Sequence, residues 1–186
     1  MSATYSTKEF PDKYVNPRGI PQVPFVESVE DLIKSRGVTS ETILKQFQEQ
    51  YSKYKLMEHK LSQNKSLLQA KSPEIEKTME TVKYLKQKLE VEQLPINTQF
   101  GLTESVFVDA IVSPQHTIHL WLGANVMCEY TYDAALQMLK KNLDAAKLNL
   151  ANTIEDLAWL KDQQVILEVN TARVYNFDVI ARRETK

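Results

Sequence analysis

The stretch FQEQYSKYKLMEHKLSQNKSLLQAKSPEIEKTMETVKYLKQKL, residues 47–89, decides the fold of this chain. An apolar residue recurs in it at every seventh position, at Phe47, Tyr54, Leu61, Leu68, Ile75, Val82 and Leu89. A strict seven-residue column of this length is specific for a helix that packs along a narrow seam, as in a coiled coil. The companion column three residues further on is partly polar, which favours a two-helix seam over a broad buried face. The sequence therefore predicts one long coiled-coil helix over residues 40–94.

Pro73 lies inside this predicted helix and allows two interpretations. Ser72 and Pro73 have the form of an N-cap followed by a first-turn proline, which would begin a new helix. Leu68 and Ile75 nevertheless stay seven residues apart across the proline, and an inserted turn would normally reset that spacing. We therefore expect a kink within a single helix, at a cost of about 3 kcal/mol that packing in the seam must offset.

A second stretch without helix breakers predicts the partner of this helix. The chain contains only four glycines, and residues 124–186 contain neither glycine nor proline. Residues 133–176 carry two columns at seven-residue spacing, both mainly apolar, and are predicted to be helical. Neither helix has enough apolar surface to be stable alone. We expect the two to pair as an antiparallel coiled coil within one chain, with Tyr54 near Thr171.

The segment between the helices, residues 96–131, has the composition of β-strands. SVFVDAIV (105–112) and TIHLWL (117–122) are rich in β-branched and aromatic residues, and the second alternates polar and apolar residues as a half-buried strand does. The intervening SPQH (113–116) predicts a type I turn. Two further strands are expected, one after a turn at Gly123 and a less certain one over residues 98–102. The linker is therefore predicted to form one or two β-hairpins at the base of the coil.

The remaining segments set the domain boundaries. Residues 1–38 contain four prolines and are largely polar, so we expect a partly disordered extension with a short helical stretch within 25–33. We expect residues 39–177 to form the coiled coil, with the β-hairpin linker at 96–131, and residues 178–186 to form a C-terminal tail. The predicted fold class is mainly α: a long antiparallel two-helix coiled coil with a linker of one or two β-hairpins at its base.

Charge and cysteine content argue against several classes of function. The formal net charge is −1, with basic and acidic residues interleaved, so neither nucleic acid nor a membrane is an expected partner. The single cysteine, Cys128, excludes an internal disulfide and fits a reducing compartment. The apolar runs are too short for a signal core or a membrane span. We expect a cytoplasmic protein, with the nucleus left open as a second location.

The sequence lacks the patterns of catalysis and of metal binding. It has no Gly-rich phosphate loop, and we assign no catalytic residue. His116, His119 and Cys128 are close in sequence but lack the paired spacing of a metal site, so neither a metal nor a cofactor is expected. Trp121 is expected to anchor an interface rather than to bind a ligand. We predict a binding or structural protein, not an enzyme.

The predicted hairpins carry more apolar surface than one chain of this form can bury. A short isolated hairpin pair is marginal in water, and its open edges pair with other chains unless they are covered. We therefore expect this segment to join several subunits. The residues expected in the subunit interface are Phe107, Val108, Ile111, Ile118, Leu120, Trp121, Leu122, Val126 and Met127.

The linker also resembles that of a known family. The segments NTQFGLTESVFVDAI (97–111), LWLGANVM (120–127) and EYTYDA (129–134) resemble an α-type prefoldin subunit. Upstream, RGIP (18–21) with PFVE (24–27) is similar to the leader of the eukaryotic prefoldin subunit 3 group. The linker motif is specific, whereas the coils alone would match many families.

The resemblance implies an ATP-independent holdase. It implies a hetero-hexamer of two α-type and four β-type prefoldin subunits, whose hairpins form a β-barrel platform. The projecting coils would hold unfolded actin and tubulin for the cytosolic chaperonin. The alternative is a structural coiled-coil scaffold subunit that binds no client.

The open end of the coil is the expected client-binding region, because seam residues would lose their partners where two helices splay. The candidate residues are Phe47, Tyr51, Tyr54, Leu167, Val174, Tyr175 and Phe177. For Phe47 and Tyr54, which stand in the main column, completing the seam remains an open alternative. Tyr51, Tyr175 and Phe177 lie off the columns, so exposure is expected there.

Overall fold

A computed structural model describes residues 15–91, 95–113 and 115–184 of the chain. The elements follow the order α1 (Val29–Arg36), α2 (Ser40–Val91), β1 (Ile96–Gly101), β2 (Phe107–Val112), β3 (Thr117–Gly123), β4 (Val126–Thr131) and α3 (Tyr132–Glu184). The predicted mainly α fold with a helix pair and β-hairpins is confirmed. The chain divides into two compact units. We call the described part of Met1–Ser66 and Leu150–Lys186 the terminal unit, and that of Leu67–Asn149 the hairpin unit.

Helix α2 runs through Pro73 without a break. The prediction of one helix is confirmed, and the alternative of a new helix beginning at Pro73 is wrong. The hydroxyl of Ser72 donates to the carbonyl oxygen of Leu68 (2.9 Å), one turn earlier in the same helix, rather than capping a new one. The helix ends at Val91, and the predicted end at Leu94 lies outside the described residues.

Helix α3 continues eight residues past its predicted end at 176, so residues 178–184 are helical rather than a tail. Contacts with the first turn of α2 stabilise this extension. Asp178 accepts a hydrogen bond from the Ser40 hydroxyl, and Arg182 pairs with Glu41 (2.8 Å). Arg182 also pairs with Asp178 (2.8 Å) one turn back on α3, a spacing that supports helix.

In the terminal unit, α2 and α3 pack antiparallel around the predicted heptad column. Phe47 and Tyr54 of α2 lie in one buried cluster with Leu160, Leu167 and Val174 of α3. The expected proximity of Tyr54 and Thr171 was wrong by about one helical turn. The contacts between Tyr51 and Glu168 (2.8 Å) and between Glu58 and Gln164 (3.0 Å) show this shift.

The N-terminal segment departs from the expected partial disorder within residues 15–38; residues 1–14 lie outside the described part. We call residues 16–27 the leader. Its side chains Ile20, Val23 and Val26 are buried in the same cluster as the helix seam. The short helix expected near this point is confirmed as α1, which begins after the N-cap Ser28 and ends at Gly37 in the left-handed conformation.

The hairpin unit contains two separate two-stranded antiparallel sheets, β1–β2 and β3–β4. Both hairpins were allowed by the sequence, and the less certain strand at 98–102 exists as β1. The predicted turn at 113–116 connects strands of different sheets, and Pro114 lies outside the described residues. The β3–β4 turn has positive φ at Ala124 (49°) and Asn125 (60°), as a two-residue type I′ turn requires.

We expect Pro73→Ala to stabilise the protein against unfolding by about 2 kcal/mol. Proline in a helix interior lacks the N–H that would donate to the carbonyl of Gln69 and costs about 3 kcal/mol. Proline also restricts the unfolded chain, which offsets about 0.4–1 kcal/mol of that gain. Chemical denaturation monitored by circular dichroism measures the difference. Lys71→Ala, an exposed change in the same turn, is the matched control. A less stable Pro73→Ala variant would contradict this account of α2.

Candidate functional site

The hairpin unit exposes large apolar side chains on both hairpins. Ile111 is 70 % exposed, Phe100 61 % and Trp121 59 %. Single exposed apolar residues are ordinary on a protein surface, whereas a dense group of them marks an interaction site. We call this group the hairpin patch. Its members are Phe100, Leu102, Val106, Phe107, Val108, Ile111, Val112, Trp121, Leu122, Val126 and Met127.

The β1–β2 hairpin contributes to the patch from both of its faces. Directly opposite residues of an antiparallel pair share a face. Phe100 lies opposite Val108 on one face, and Phe107 and Ile111 lie on the other. All four side chains are exposed. The described part of the chain therefore leaves apolar surface uncovered on both faces of this hairpin.

The β3–β4 hairpin separates its apolar residues by strand alternation. Ile118 and Leu120 are half-buried and pack against the core that contains Val82 and Tyr132 of the same unit. Trp121 is on the opposite face of β3, directly across from Met127 of β4, and both are exposed. The hairpin therefore covers its own coil with one face and presents the other.

Seven of the nine predicted interface residues belong to the hairpin patch, and Ile118 and Leu120 instead face the core of their own chain. Four patch members were not predicted from the sequence: Phe100, Leu102, Val106 and Val112. Pairing the weakly predicted strand at 98–102 with the strand at 105–112 would have placed Phe100 opposite Val108.

Four of the seven predicted client-binding residues are buried in the terminal unit. Phe47 is 2 % exposed, Tyr54 1 %, and Leu167 and Val174 0 %. The expected exposure is absent because the leader packs on this part of the helix pair and contributes Ile20, Val23 and Val26 to the same cluster. These four side chains complete the core, so any contact with a client requires the core to open.

The other three predicted client-binding residues keep accessible surface. Tyr175 is 58 % exposed, and Tyr51 and Phe177 are half-buried. Tyr51 and Tyr175 line an open groove of about 660 Å³, which we call the aromatic groove, together with Leu44 and Thr171. The Tyr51 hydroxyl donates to a carboxylate oxygen of Glu168 (2.8 Å), and this hydrogen bond raises the pKa of Tyr51. The groove therefore combines apolar side chains such as Leu44 with charged side chains such as Glu168.

A column of three buried polar residues on α3 holds the leader. Asp156, Gln163 and Asn170 are spaced seven residues apart and are 6 %, 3 % and 0 % exposed. The N–H of Val23 donates to Oε1 of Gln163 (2.8 Å), and the N–H of Val26 donates to Oδ1 of Asn170 (2.9 Å). The leader therefore runs parallel to α3 and hydrogen-bonds at successive positions of one heptad column.

Two further hydrogen bonds secure the leader backbone. Asn170 Nδ2 donates to the carbonyl of Pro24 (2.8 Å), so its amide group contacts the leader through both of its ends. The hydroxyl of Tyr54 donates to the carbonyl of Pro21 (2.9 Å). Burial raises the pKa of Tyr54 above its ordinary value. Such bonds satisfy backbone groups that would otherwise be buried without a partner.

At the start of the leader, Asp156 forms an ionic latch. Its Oδ1 accepts from Asn16 Nδ2 (2.6 Å) and from Arg18 Nε (2.7 Å), and Arg18 Nη2 also pairs with Glu155 (2.6 Å). The hydrogen bond to Asp156 is the main cause of a raised pKa for Arg18. A guanidinium that bridges two carboxylates through charge-assisted hydrogen bonds fixes position as well as charge. The polar column of α3 was not predicted from the sequence, although the seven-residue spacing of positions 156, 163 and 170 was a usable signal.

Neither a metal centre nor a membrane segment is found in the part of the chain that the structure describes. No cluster of three or more His, Cys, Asp or Glu side chains there is arranged to hold a metal ion. The helices of that part include none with a sufficiently long apolar stretch to cross a bilayer. The hairpin patch and the aromatic groove are open surfaces of the described residues, whereas the buried polar column of α3 is occupied by the leader.

Comparison with known proteins finds relatives over most of the chain. The family model described as Prefoldin subunit matches residues 54–177. Prefoldin subunit 3 of Mus musculus is 46 % identical over 167 residues, which are 89 % of this chain and 85 % of the relative. Prefoldin subunit 3 of Elsinoe fawcettii is 43 % identical over 175 residues (94 % and 88 %). Probable prefoldin subunit 3 of Dictyostelium discoideum is 40 % identical over 167 residues (90 % and 83 %).

Proposed function

The chain belongs to the prefoldin family of chaperone subunits, and from this premise we propose that it is a holdase subunit of a hetero-hexamer. The hexamer contains two α-type and four β-type prefoldin subunits and binds unfolded actin and tubulin without ATP. It delivers them to the cytosolic chaperonin, and the chain is accordingly cytoplasmic. The hairpin patch is the observation that carries this proposal.

Partner subunits are needed because the patch is too exposed for an isolated chain. A two-stranded hairpin has open edges on both sides, and the β1–β2 hairpin adds exposed apolar residues on both faces. Strands contributed by other subunits would pair with the edges and bury the faces at the same time. Closure of several hairpins into a barrel is a solution that removes sheet edges altogether.

Client binding is assigned to the aromatic groove. Tyr51 and Tyr175 present apolar ring surface beside a polar hydroxyl, which suits contact with chains of varied sequence. A single groove of this size gives a weak contact. Several coils of one complex acting together raise the overall affinity while each contact still releases quickly. A holdase of this kind needs no nucleotide, since binding and release follow from apolar contact alone.

A structural scaffold without client binding is the second candidate. The burial of Phe47, Tyr54, Leu167 and Val174 favours it, because these residues serve the core of the chain. Under this alternative the hairpin patch still joins subunits, whereas the aromatic groove binds nothing. The two candidates therefore differ at the groove and agree at the patch.

We expect Trp121→Asp to abolish assembly while leaving the subunit folded. Trp121 is 59 % exposed, so the new charge stays solvated in the free chain but would be buried without a partner in the interface. Native mass spectrometry after co-expression with partner subunits measures incorporation, and circular dichroism measures helix content. Leu148→Asp, at a 63 % exposed position of α3, is the matched control and assembles normally. A full-mass complex that contains Trp121→Asp would contradict the role given to the patch.

We expect replacement of Tyr51, Tyr175 and Phe177 by Ser to weaken client capture without affecting assembly. Removal of each aromatic ring should reduce the binding free energy by about 1–2 kcal/mol if the client buries most of that ring. Suppression of denatured-actin aggregation by substoichiometric complex measures capture, because excess complex would hide the effect through avidity. Tyr84→Ser removes a 50 % exposed tyrosine from the hairpin unit and serves as the control. If the triple variant protects actin as well as the wild type does, the groove is not the client site and the scaffold gains support.

A further inference from the structure

We propose that the leader occupies a binding trench for extended polypeptide and acts as a built-in competitor for it. The trench is formed by Tyr54, Asp156, Gln163 and Asn170 above the buried seam of the terminal unit. Its ligand class is an extended segment of an unfolded chain with two branched apolar residues three positions apart, as Val23 and Val26 are. This inference rests on the proposed holdase function and adds a second contact site to it.

The trench recognises the main chain of its occupant. Gln163 and Asn170 accept hydrogen bonds from the backbone N–H groups of Val23 and Val26, respectively. Tyr54 and Asn170 donate to the backbone carbonyls of Pro21 and Pro24, respectively. Every polypeptide offers carbonyls, and all residues except proline offer N–H groups, so these contacts depend little on sequence. Side-chain amides that hydrogen-bond to the main chain suit a protein that must hold many different clients.

The spacing of the column matches that of an extended chain. Side chains recur on one face at every third residue in polyproline II backbone, in which three residues span roughly 9 Å at 3.1 Å per residue. Seven residues of α-helix span roughly 10.5 Å at 1.5 Å per residue. The step from Val23 to Val26 is therefore within roughly 1.5 Å of the step from Gln163 to Asn170, and the match does not require the particular residues of the leader. A helical occupant could not meet both amides, because its interior backbone N–H and carbonyl groups are already hydrogen-bonded within the helix.

The apolar requirement follows from the buried side chains. Ile20, Val23 and Val26 recur at every third residue and are 8 %, 1 % and 8 % exposed. Phe25, between two of them, is 51 % exposed and is stacked by Arg173 (4.9 Å from the ring centre) on the outside. The prolines at 21 and 24 fit because the trench uses their carbonyls and needs no N–H from them. A charge at position 23 or 26 would be buried without a partner.

Covalent attachment to the chain explains why the leader occupies the trench when no client segment is bound. A segment of the same chain competes at an effective concentration in the millimolar range, well above that of a free peptide. The latch between Arg18 and Asp156 adds to this advantage. Arg18 remains 29 % exposed, so salt screens part of the latch and favours release of the leader. A client segment therefore binds only by displacing the leader from the trench.

The test uses a fluorescent peptide of residues 16–28, NPRGIPQVPFVES, and the full chain. In the Val23→Asp/Val26→Asp variant of the chain the tethered leader can no longer occupy the trench. We expect this variant to bind the peptide at least ten-fold more tightly than the wild type does, measured by fluorescence anisotropy. A peptide that carries the same two Asp substitutions should not bind either chain.

A third substitution locates the peptide. Asn170→Ala, added to the double variant, removes the amide that contacts Val26 and Pro24 and should weaken peptide binding about ten-fold. Val169→Ala, at an exposed neighbouring position, should leave peptide binding unchanged. If the double variant loses helix content, Arg18→Ala alone replaces it. Loss of the latch should then raise peptide affinity of the otherwise intact chain by a few-fold.

The inference is overturned if the freed chain binds the peptide no better than the wild type, or if Asn170→Ala has no effect on binding. Because the readout is peptide binding, it is separate from aggregation suppression by the complex. A chain that binds the peptide in the trench while its complex fails to protect denatured actin would contradict the proposed function and support the trench. A complex that protects actin while no freed chain binds the peptide would support the proposed function and contradict the trench.

Discussion

A pair of helices has one seam, and apolar surface outside that seam must be covered by something other than the pair. The two units of this chain meet this constraint in different ways. In the terminal unit the leader covers the seam and adds Ile20, Val23 and Val26 to its core. In the hairpin unit one face of β3–β4 covers the coil, and the hairpin patch stays uncovered by the described part of the chain. The assembly role proposed for the patch and the regulatory role proposed for the leader both follow from this difference.

The buried polar residues of α3 convert a generic coil into a site with a defined occupant. A helix that only packed on α2 would have no use for Asp156, Gln163 and Asn170 in buried positions, since burying polar groups without partners is costly. Their partners are leader groups, and the resulting network fixes the direction and register of the leader. The same network makes the core of the terminal unit dependent on a segment that has no regular structure before α1.

The sequence predicted the helices and strands better than the contacts between them. The apolar column from Phe47 to Leu89 was sufficient for a single helix through Pro73, and alternation at 117–122 was sufficient for the inward face of β3. A heptad column looks the same after every shift of seven residues, so it defines which face is buried and leaves the pairing of Tyr54 undetermined. The leader was missed because a non-helical segment has no helical period and its amide partners lie about 140 residues away in the chain. The prediction that seam residues are exposed was wrong for the same reason.

The most direct test of the account is hydrogen–deuterium exchange of the backbone amides of β1–β4, compared between the free chain and the complex assembled with partner subunits. If the hairpin patch is the subunit interface, strand edges that are open in the free chain become hydrogen-bonded and buried in the complex. Exchange in residues 96–131 should then slow by at least ten-fold on assembly, while the leader and the part of α3 that holds it change little. Equal exchange of the hairpins in the free and assembled chains would contradict the account.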